Sequence, residues 1–187
     1  MAVSNLIRWC GLAAVVAGAL FLIINLTTLL ILSFSPENVT PFNLLVRSAL
    51  APASGALLLL GLVGLYFRQS EATGILGLIS FLCAFVGTVL AQAGNAWAGW
   101  LANLGLALFG VSILRARAYS RIAAILLIIG AAITGAVSPL LSGGPLSILV
   151  YVASTGAGLI LNIAIAWLGF NLFARRGDAT YQPPRER

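Results

Sequence analysis

The chain has 187 residues, of which 61% are hydrophobic and 7% are charged, and its formal net charge is +6. This composition excludes an ordinary soluble domain, because soluble domains carry about 25% charged residues. The positive charge comes from arginines that lie mainly at the ends of apolar runs, so we expect it to set orientation in a membrane and do not expect nucleic acid as a partner.

Several apolar runs are long enough to cross a bilayer, whose hydrocarbon core of about 30 Å needs about 20 residues of helix. A membrane β-barrel would instead show strands in which apolar and polar residues alternate. Here the runs are continuous, as at 57–60. The sequence therefore predicts an all-α, polytopic transmembrane bundle without a soluble domain.

Polar breaks divide the apolar sequence into predicted spans. A segment with two prolines, 35–41, separates the first two spans, and 68–71 separates the second from the third. From residue 175 to 187 the composition changes to Arg, Asp, Gln and Pro, which predicts a disordered cytoplasmic tail. Six helices are predicted within residues 1–174, at about 9–33, 42–67, 72–93, 96–114, 122–141 and 146–173.

The arginines give the predicted bundle a direction. With six spans, nine of the ten arginines fall on one side and only Arg47 falls towards the other. By the positive-inside rule the arginine-rich side is cytoplasmic, so both termini are predicted to be cytoplasmic. The arginines expected to anchor the protein to anionic lipid headgroups at this face are Arg68, Arg115, Arg117, Arg121, Arg175 and Arg176.

Short motifs near these arginines carry a resemblance to known proteins. They are the stretch 65–69 (Leu-Tyr-Phe-Arg-Gln), the stretch 74–78 (Gly-Ile-Leu-Gly-Leu) and the stretch 112–117 (Ser-Ile-Leu-Arg-Ala-Arg). With these motifs most of the chain resembles small multi-span membrane proteins of bacteria that have no assigned activity. The resemblance implies a bacterial plasma-membrane protein and transfers no functional residue.

Small residues recur along one face of each predicted helix. Lipid provides no hydrophobic force between helices, so tight packing relies on small residues and on polar side chains that bond across helices. At about 100° per residue, the first predicted helix aligns Gly11, Ala14, Gly18 and Asn25. The sixth aligns Ser147, Ser154, Gly158, Asn162 and Gly169. These faces predict one compact bundle.

A set of polar residues projects to the outer half of the predicted bundle, and we take it as the candidate ligand site. Arg47 is the most notable member, because a charge at bilayer depth is costly unless it pairs or meets water. Arg47 either snorkels to headgroups or pairs with Glu37, or it holds an anion, a lipid headgroup or a substrate carboxylate. The amides serve either as ligands or as bonds between helices. The members of the set are Asn25, Arg47, Gln92, Asn95 and Asn103.

Catalysis and metal binding are not expected from this sequence. It contains no His and no Lys, and its four acidic residues all fall outside the predicted spans. The usual general acids, general bases and metal ligands are therefore missing from the membrane interior. Cys10 and Cys83 are expected to be free thiols, and no cofactor is predicted.

Two functions fit these observations. The first is a non-enzymatic accessory or assembly subunit, or a homo-oligomer, that acts through helix-face contacts with a membrane partner. The second is a small permease, or a lipid- or anion-binding membrane protein, with an outward-facing site around Arg47.

Overall fold

The computed structural model describes residues 2–34, 39–95, 97–117, 119–137 and 147–174. All regular structure in these residues is helical. The five helices are α1 (Ala2–Phe34), α2 (Val39–Gln92), α3 (Ala98–Ala116), α4 (Arg121–Val137) and α5 (Ser147–Ala174). The all-α prediction is confirmed and the predicted count of six helices is wrong, because the second and third predicted helices form one element. The predicted tail, 175–187, lies outside the described residues.

Helix α2 is bent back on itself at Gly74. This glycine has φ 55° and ψ −144°, the only non-helical backbone angles inside the element. In a straight helix Gly55 and Gln92 would be about 55 Å apart at about 1.5 Å per residue. Instead, a Cβ atom added to Gly55 would overlap the side chain of Gln92. Residues 39–73 and 75–92 therefore form two antiparallel arms, which we call the first and second arms of α2.

The break in α2 lies after the polar segment that was predicted to end a helix. Residues 68–71 are helical, since Arg, Gln and Glu are good helix formers and the long side chains of Arg68 and Glu71 are exposed at this helix end. The reversal needs a positive φ, which glycine adopts at little cost. Nothing lies within 4 Å of the position that a Cβ atom of Gly74 would occupy, so the backbone angle and not crowding accounts for this glycine.

The helices pack as a closed ring in chain order. The two arms of α2 pack together through stacked rings of Tyr66 and Phe81, whose centroids are 4.6 Å apart. Helix α5 closes the ring against α1, where a Cβ atom on Gly11 would lie 2.9 Å from the carbonyl oxygen of Gly169. The remaining neighbours in the ring meet at Gly61 and Ala14, at Gly87 and Ala102, at Gly110 and Ile128, and at Gly130 and Leu161.

Small residues allow these helices to approach closely, as the sequence predicts. A Cβ atom on Gly18 would lie 2.8 Å from the carbonyl oxygen of Asn162, and Ala14 of the same face is fully buried. Such contacts between backbones provide the van der Waals packing that holds helices together in lipid.

The contacts between helices also show at which end of the bundle the arginines lie. The start of α1, the break at Gly74, the turn between α3 and α4 and the end of α5 all lie at one end, which we call the arginine end. Arg8 and Arg68 lie near this end, together with the arginines at 115–121. The backbone of Arg47 lies in the part of the first arm remote from Gly74.

Four of the described helices are long and apolar enough to cross a membrane by length and composition. The corresponding segments are Asn5–Ile31, Ser48–Gln92, Ala98–Ala116 and Val152–Ala174. Helix α4 is apolar but shorter, with Arg121–Ala136 as its apolar part. The chain is thus a multi-span membrane protein by the character of its helices.

Candidate functional site

The ring of helices encloses a pocket of about 370 Å³ on the side of the bundle remote from Gly74. Every helix and both arms of α2 contribute to its wall. This volume lies within the range of about 300–1,000 Å³ that is usual for small-molecule sites. The polar side chains that line it are Asn25, Thr88, Gln92, Asn103, Thr134, Ser154, Thr155 and Asn162.

Asn162 is the most deeply buried amide of this pocket. Its exposed fraction is 5%, and its side chain lines the pocket. An amide that lines a pocket can exchange hydrogen bonds with an occupant, so Asn162 is suited to bind a polar molecule there. Sequence reasoning placed Asn162 on a packing face and missed it as a site residue. The signal was the run of Ser154, Gly158 and Asn162 at intervals of four residues, which puts them on one face of α5.

Three of the predicted site residues meet in this pocket. Asn25 comes from α1, Gln92 from the end of the second arm, and Asn103 from α3. Gly158 makes room for Asn25, since a Cβ atom there would lie 3.2 Å from Asn25 Nδ2. The side chain of Gln92 lies against Gly55. A Cβ atom at Gly55 would displace this side chain.

Several polar groups of the pocket already use their donors within their own helices. Thr88 Oγ1 donates to the carbonyl oxygen of Ala84 at 2.7 Å, and Thr134 Oγ1 donates to that of Gly130 at 2.7 Å. Asn103 Nδ2 donates to the carbonyl oxygen of Gly99 at 2.9 Å. These groups therefore present mainly acceptor oxygens to the pocket, while the amides of Asn25, Gln92 and Asn162 supply both donors and acceptors.

None of the described residues that line the pocket is charged. A charged ligand taken out of water would need a counter-charge or a metal, and the described part of the lining offers neither a carboxylate nor a guanidinium group. Within the described ranges there is also no cluster of three or more His, Cys, Asp or Glu residues. The arrangement therefore suits an uncharged polar molecule that forms hydrogen bonds with amide and hydroxyl groups.

A smaller chamber of about 230 Å³ adjoins the pocket between α1 and α2. The two spaces share Phe21, Asn25, Ala91 and Gln92 in their walls. The side chains of Asn25 and Gln92 thus lie where the pocket and the chamber meet. A change in the position of Gln92 would alter both spaces.

The other two predicted ligand residues do not join this group in the described structure. Asn95 is exposed in the turn between α2 and α3, where its Oδ1 accepts a hydrogen bond from the backbone N–H of Trp97 at 3.1 Å. This bond gives Asn95 a local structural role. Arg47 lies in α2, but its side chain is outside the described part of the chain, and so is Glu37. The predicted role of Arg47 stays a prediction.

The predicted lipid anchors occupy the arginine end. Arg68, Arg115, Arg117 and Arg121 are exposed, and Arg117 ends α3 in the left-handed conformation with φ 51°. Arg175 and Arg176 lie outside the described residues. The exposed guanidinium groups are thus free to contact headgroups, which is the geometry that the anchoring prediction requires.

Comparison with protein-family models, with curated proteins and with solved structures finds no match for this chain.

Proposed function

We propose that this protein is a small permease that binds an uncharged polar solute in the central pocket. The observation that carries the proposal is the buried side chain of Asn162 in a pocket to which every described helix contributes and whose described lining residues are all uncharged. Compounds with hydroxyl or amide groups, such as polyols and ureas, have the matching chemistry. The sequence analysis placed the site of such a permease around Arg47, and the present proposal centres it on Asn162. The proposed role is non-catalytic, in keeping with a sequence without His or Lys.

The proposed topology has six crossings and both termini in the cytoplasm of a bacterial cell. Two arms of α2 that run antiparallel from Gly74 support two crossings by Ser48–Gln92, and the apolar α4 supports a further one. Arginines gathered at one end support the orientation by the positive-inside rule. In this topology the pocket lies in the outer half of the plasma membrane.

Ligand binding can be tested through thermal unfolding of the purified chain in mild detergent. Glycerol, urea and acetamide would be compared with acetate and methylammonium, which are charged and of similar size. We expect stabilisation by at least one uncharged compound and by neither ion, because a ligand that binds only the folded state raises its stability. Stabilisation by the ions alone would refute a neutral site.

Two variants give this assay its control. Asn162→Leu removes the buried amide from the pocket, and we expect about tenfold weaker binding from the loss of about one hydrogen bond. Asn171→Leu changes the same residue type in α5 near the arginine end, outside the pocket lining, and should bind as the native protein does. Equal binding by both variants would contradict the role of Asn162.

A homo-oligomer or a complex with another membrane protein is the second candidate, and one exposed face favours it. Ala49, Ala53 and Ala56 lie at intervals of three to four residues on the first arm of α2, and all three are exposed. Small residues on a lipid-facing helix allow another helix to approach closely. Ala53→Trp would then separate the partners on native gels, and an unchanged size would count against this face.

A further inference from the structure

A second polar feature lies at the arginine end, away from the central pocket. Here α1 and α5 form a groove of about 430 Å³ lined by Asn5, Arg8, Trp9, Leu12 and Phe173. It shares no lining residue with the central pocket. Arg8 is the only charged residue among the described residues that line it.

The guanidinium group of Arg8 is positioned by an aromatic ring, and no described carboxylate neutralises its charge. Its guanidinium carbon lies 5.4 Å from the centroid of the Phe173 ring, within the range of a cation–π contact. Among the described residues Arg8 has no carboxylate partner. The one acidic side chain within the described ranges, Glu71, is exposed on α2. The guanidinium group has five N–H donors, and stacking on a ring face leaves them available to an anion.

The walls of the groove are apolar and open to the bilayer. Trp9 is 68% exposed and Phe173 is 37% exposed. In a membrane, an exposed tryptophan near a helix end lies at headgroup level, where its ring contacts both chains and headgroups. A soluble anion would leave these apolar surfaces uncovered, whereas the upper part of an acyl chain would cover them.

We propose that this groove binds an anionic phospholipid, with its phosphate on Arg8 and Asn5 and its chain along Trp9 and Phe173. A basic pocket between helices at the cytoplasmic face has the charge and the depth that such a headgroup requires. The site differs from the exposed arginines at 115–121, because it combines one charge that has no carboxylate partner among the described residues with an amide and two aromatic walls. The proposal does not depend on the proposed solute pocket.

Lipid retention by the full chain tests the proposal. The protein would be released from nanodiscs that contain equal amounts of phosphatidylglycerol and phosphatidylcholine, and the retained lipid would be counted by native mass spectrometry. We expect preferential retention of phosphatidylglycerol and a decrease of about fivefold in Arg8→Gln, since one arginine near an anionic surface contributes about 1 kcal/mol. Arg121→Gln is the charge-matched comparison: Arg121 is an exposed anchor at the same end and outside the groove, so its loss should lower the retention of phosphatidylglycerol less than the loss of Arg8 does.

Two results would overturn the assignment. Equal losses of phosphatidylglycerol in Arg8→Gln and Arg121→Gln would mean that the whole arginine end, and not the groove, selects the lipid. Displacement of the bound lipid by inorganic phosphate would assign the groove to a soluble anion. The native protein provides a test that needs no folded variant, because equal retention of the two lipids by the native chain would by itself refute the proposal.

Discussion

Substituting Gly105 with alanine tests the close packing on which the pocket depends. A Cβ atom at this position would lie 2.6 Å from the Cα atom of Ala84 and 2.6 Å from the backbone carbonyl carbon of Cys83. Both are backbone atoms of the second arm of α2, so no side chain can rotate away to relieve the overlap. The reciprocal contact of Gly87 with the backbone of Ala102 holds the same pair of helices together.

The size of the effect follows from these distances. Ordinary contact needs about 3.4–4 Å, so α3 and the second arm would have to separate by about 1 Å along part of their length. Overpacking of this kind costs about 1–3 kcal/mol. Because Gln92 and Asn103 stand on these two helices, the separation would also widen the pocket and weaken solute binding.

Gly156→Ala is the matched control for Gly105→Ala. Gly156 lies inside α5 and has no atom within 4 Å of its Cβ position, so alanine there should stabilise the helix by about 0.5–1 kcal/mol. The free energy of unfolding would be measured for both variants by denaturation in mild detergent. A Gly105→Ala protein as stable as the Gly156→Ala protein would refute the close approach of α3 to the second arm.

Three further predictions concern the contact of Gly55 with Gln92, the buried Gln69 and the topology. Gly55→Ala should displace the side chain of Gln92 and change the affinity for the solute. The chain should stay folded, because the added methyl group meets only the flexible end of the Gln92 side chain. Thermal-shift titration measures the affinity, and an unchanged value would exclude a role for Gln92 in binding. Gln69→Met should raise the free energy of unfolding by about 1–3 kcal/mol, because Gln69 is 1% exposed and neither Oε1 nor Nε2 has a partner among the described residues. Chemical denaturation measures this free energy, and a loss of stability would show that the buried amide of Gln69 forms a hydrogen bond in the membrane. A cysteine replacing Ser142 should react with an impermeant thiol reagent added to intact cells, whereas reaction only after lysis would reverse the proposed orientation.

The sequence predicts the all-helical architecture because the bilayer constrains it strongly. Apolar runs of about 20 residues and short polar breaks mark where helices lie, and four long apolar helices are present. The helix bounds are less accurate at the ends, where α1 begins at Ala2 and not at about residue 9. Apolar periodicity carries no information about how far a helix continues into the interface.

The number of helices depends on a single residue, and for that reason it was predicted incorrectly. Polar residues at 68–71 indicate a loop, but they continue a helix, and the chain reverses at Gly74. A glycine within an apolar run is common in membrane helices, where it usually serves packing. Only the backbone angles distinguish the glycine that turns the chain from glycines such as Gly77 that remain helical.

The sequence predicted in part which polar residues lie together, and their role as ligands stays a prediction. Their positions along the predicted helices placed Asn25, Gln92 and Asn103 at a similar depth in the membrane. In the structure all three line one pocket. Depth cannot show which way a side chain points around the helix axis, so Asn95 was included although it is exposed in a turn. Asn162 was missed because an amide on a small-residue face has the same pattern whether it bonds a neighbouring helix or lines a cavity.

Glycerol flux tests the central proposal most directly. Proteoliposomes that contain the native chain would be exposed to a glycerol gradient, and their volume recovery would be followed by light scattering. The account predicts faster recovery than in protein-free liposomes, retention of this rate by Asn171→Leu, and its loss in Asn162→Leu. Flux that is equally fast in both variants would contradict a route through the central pocket, and a native rate equal to that of protein-free liposomes, for glycerol and for urea alike, would contradict the proposed permease.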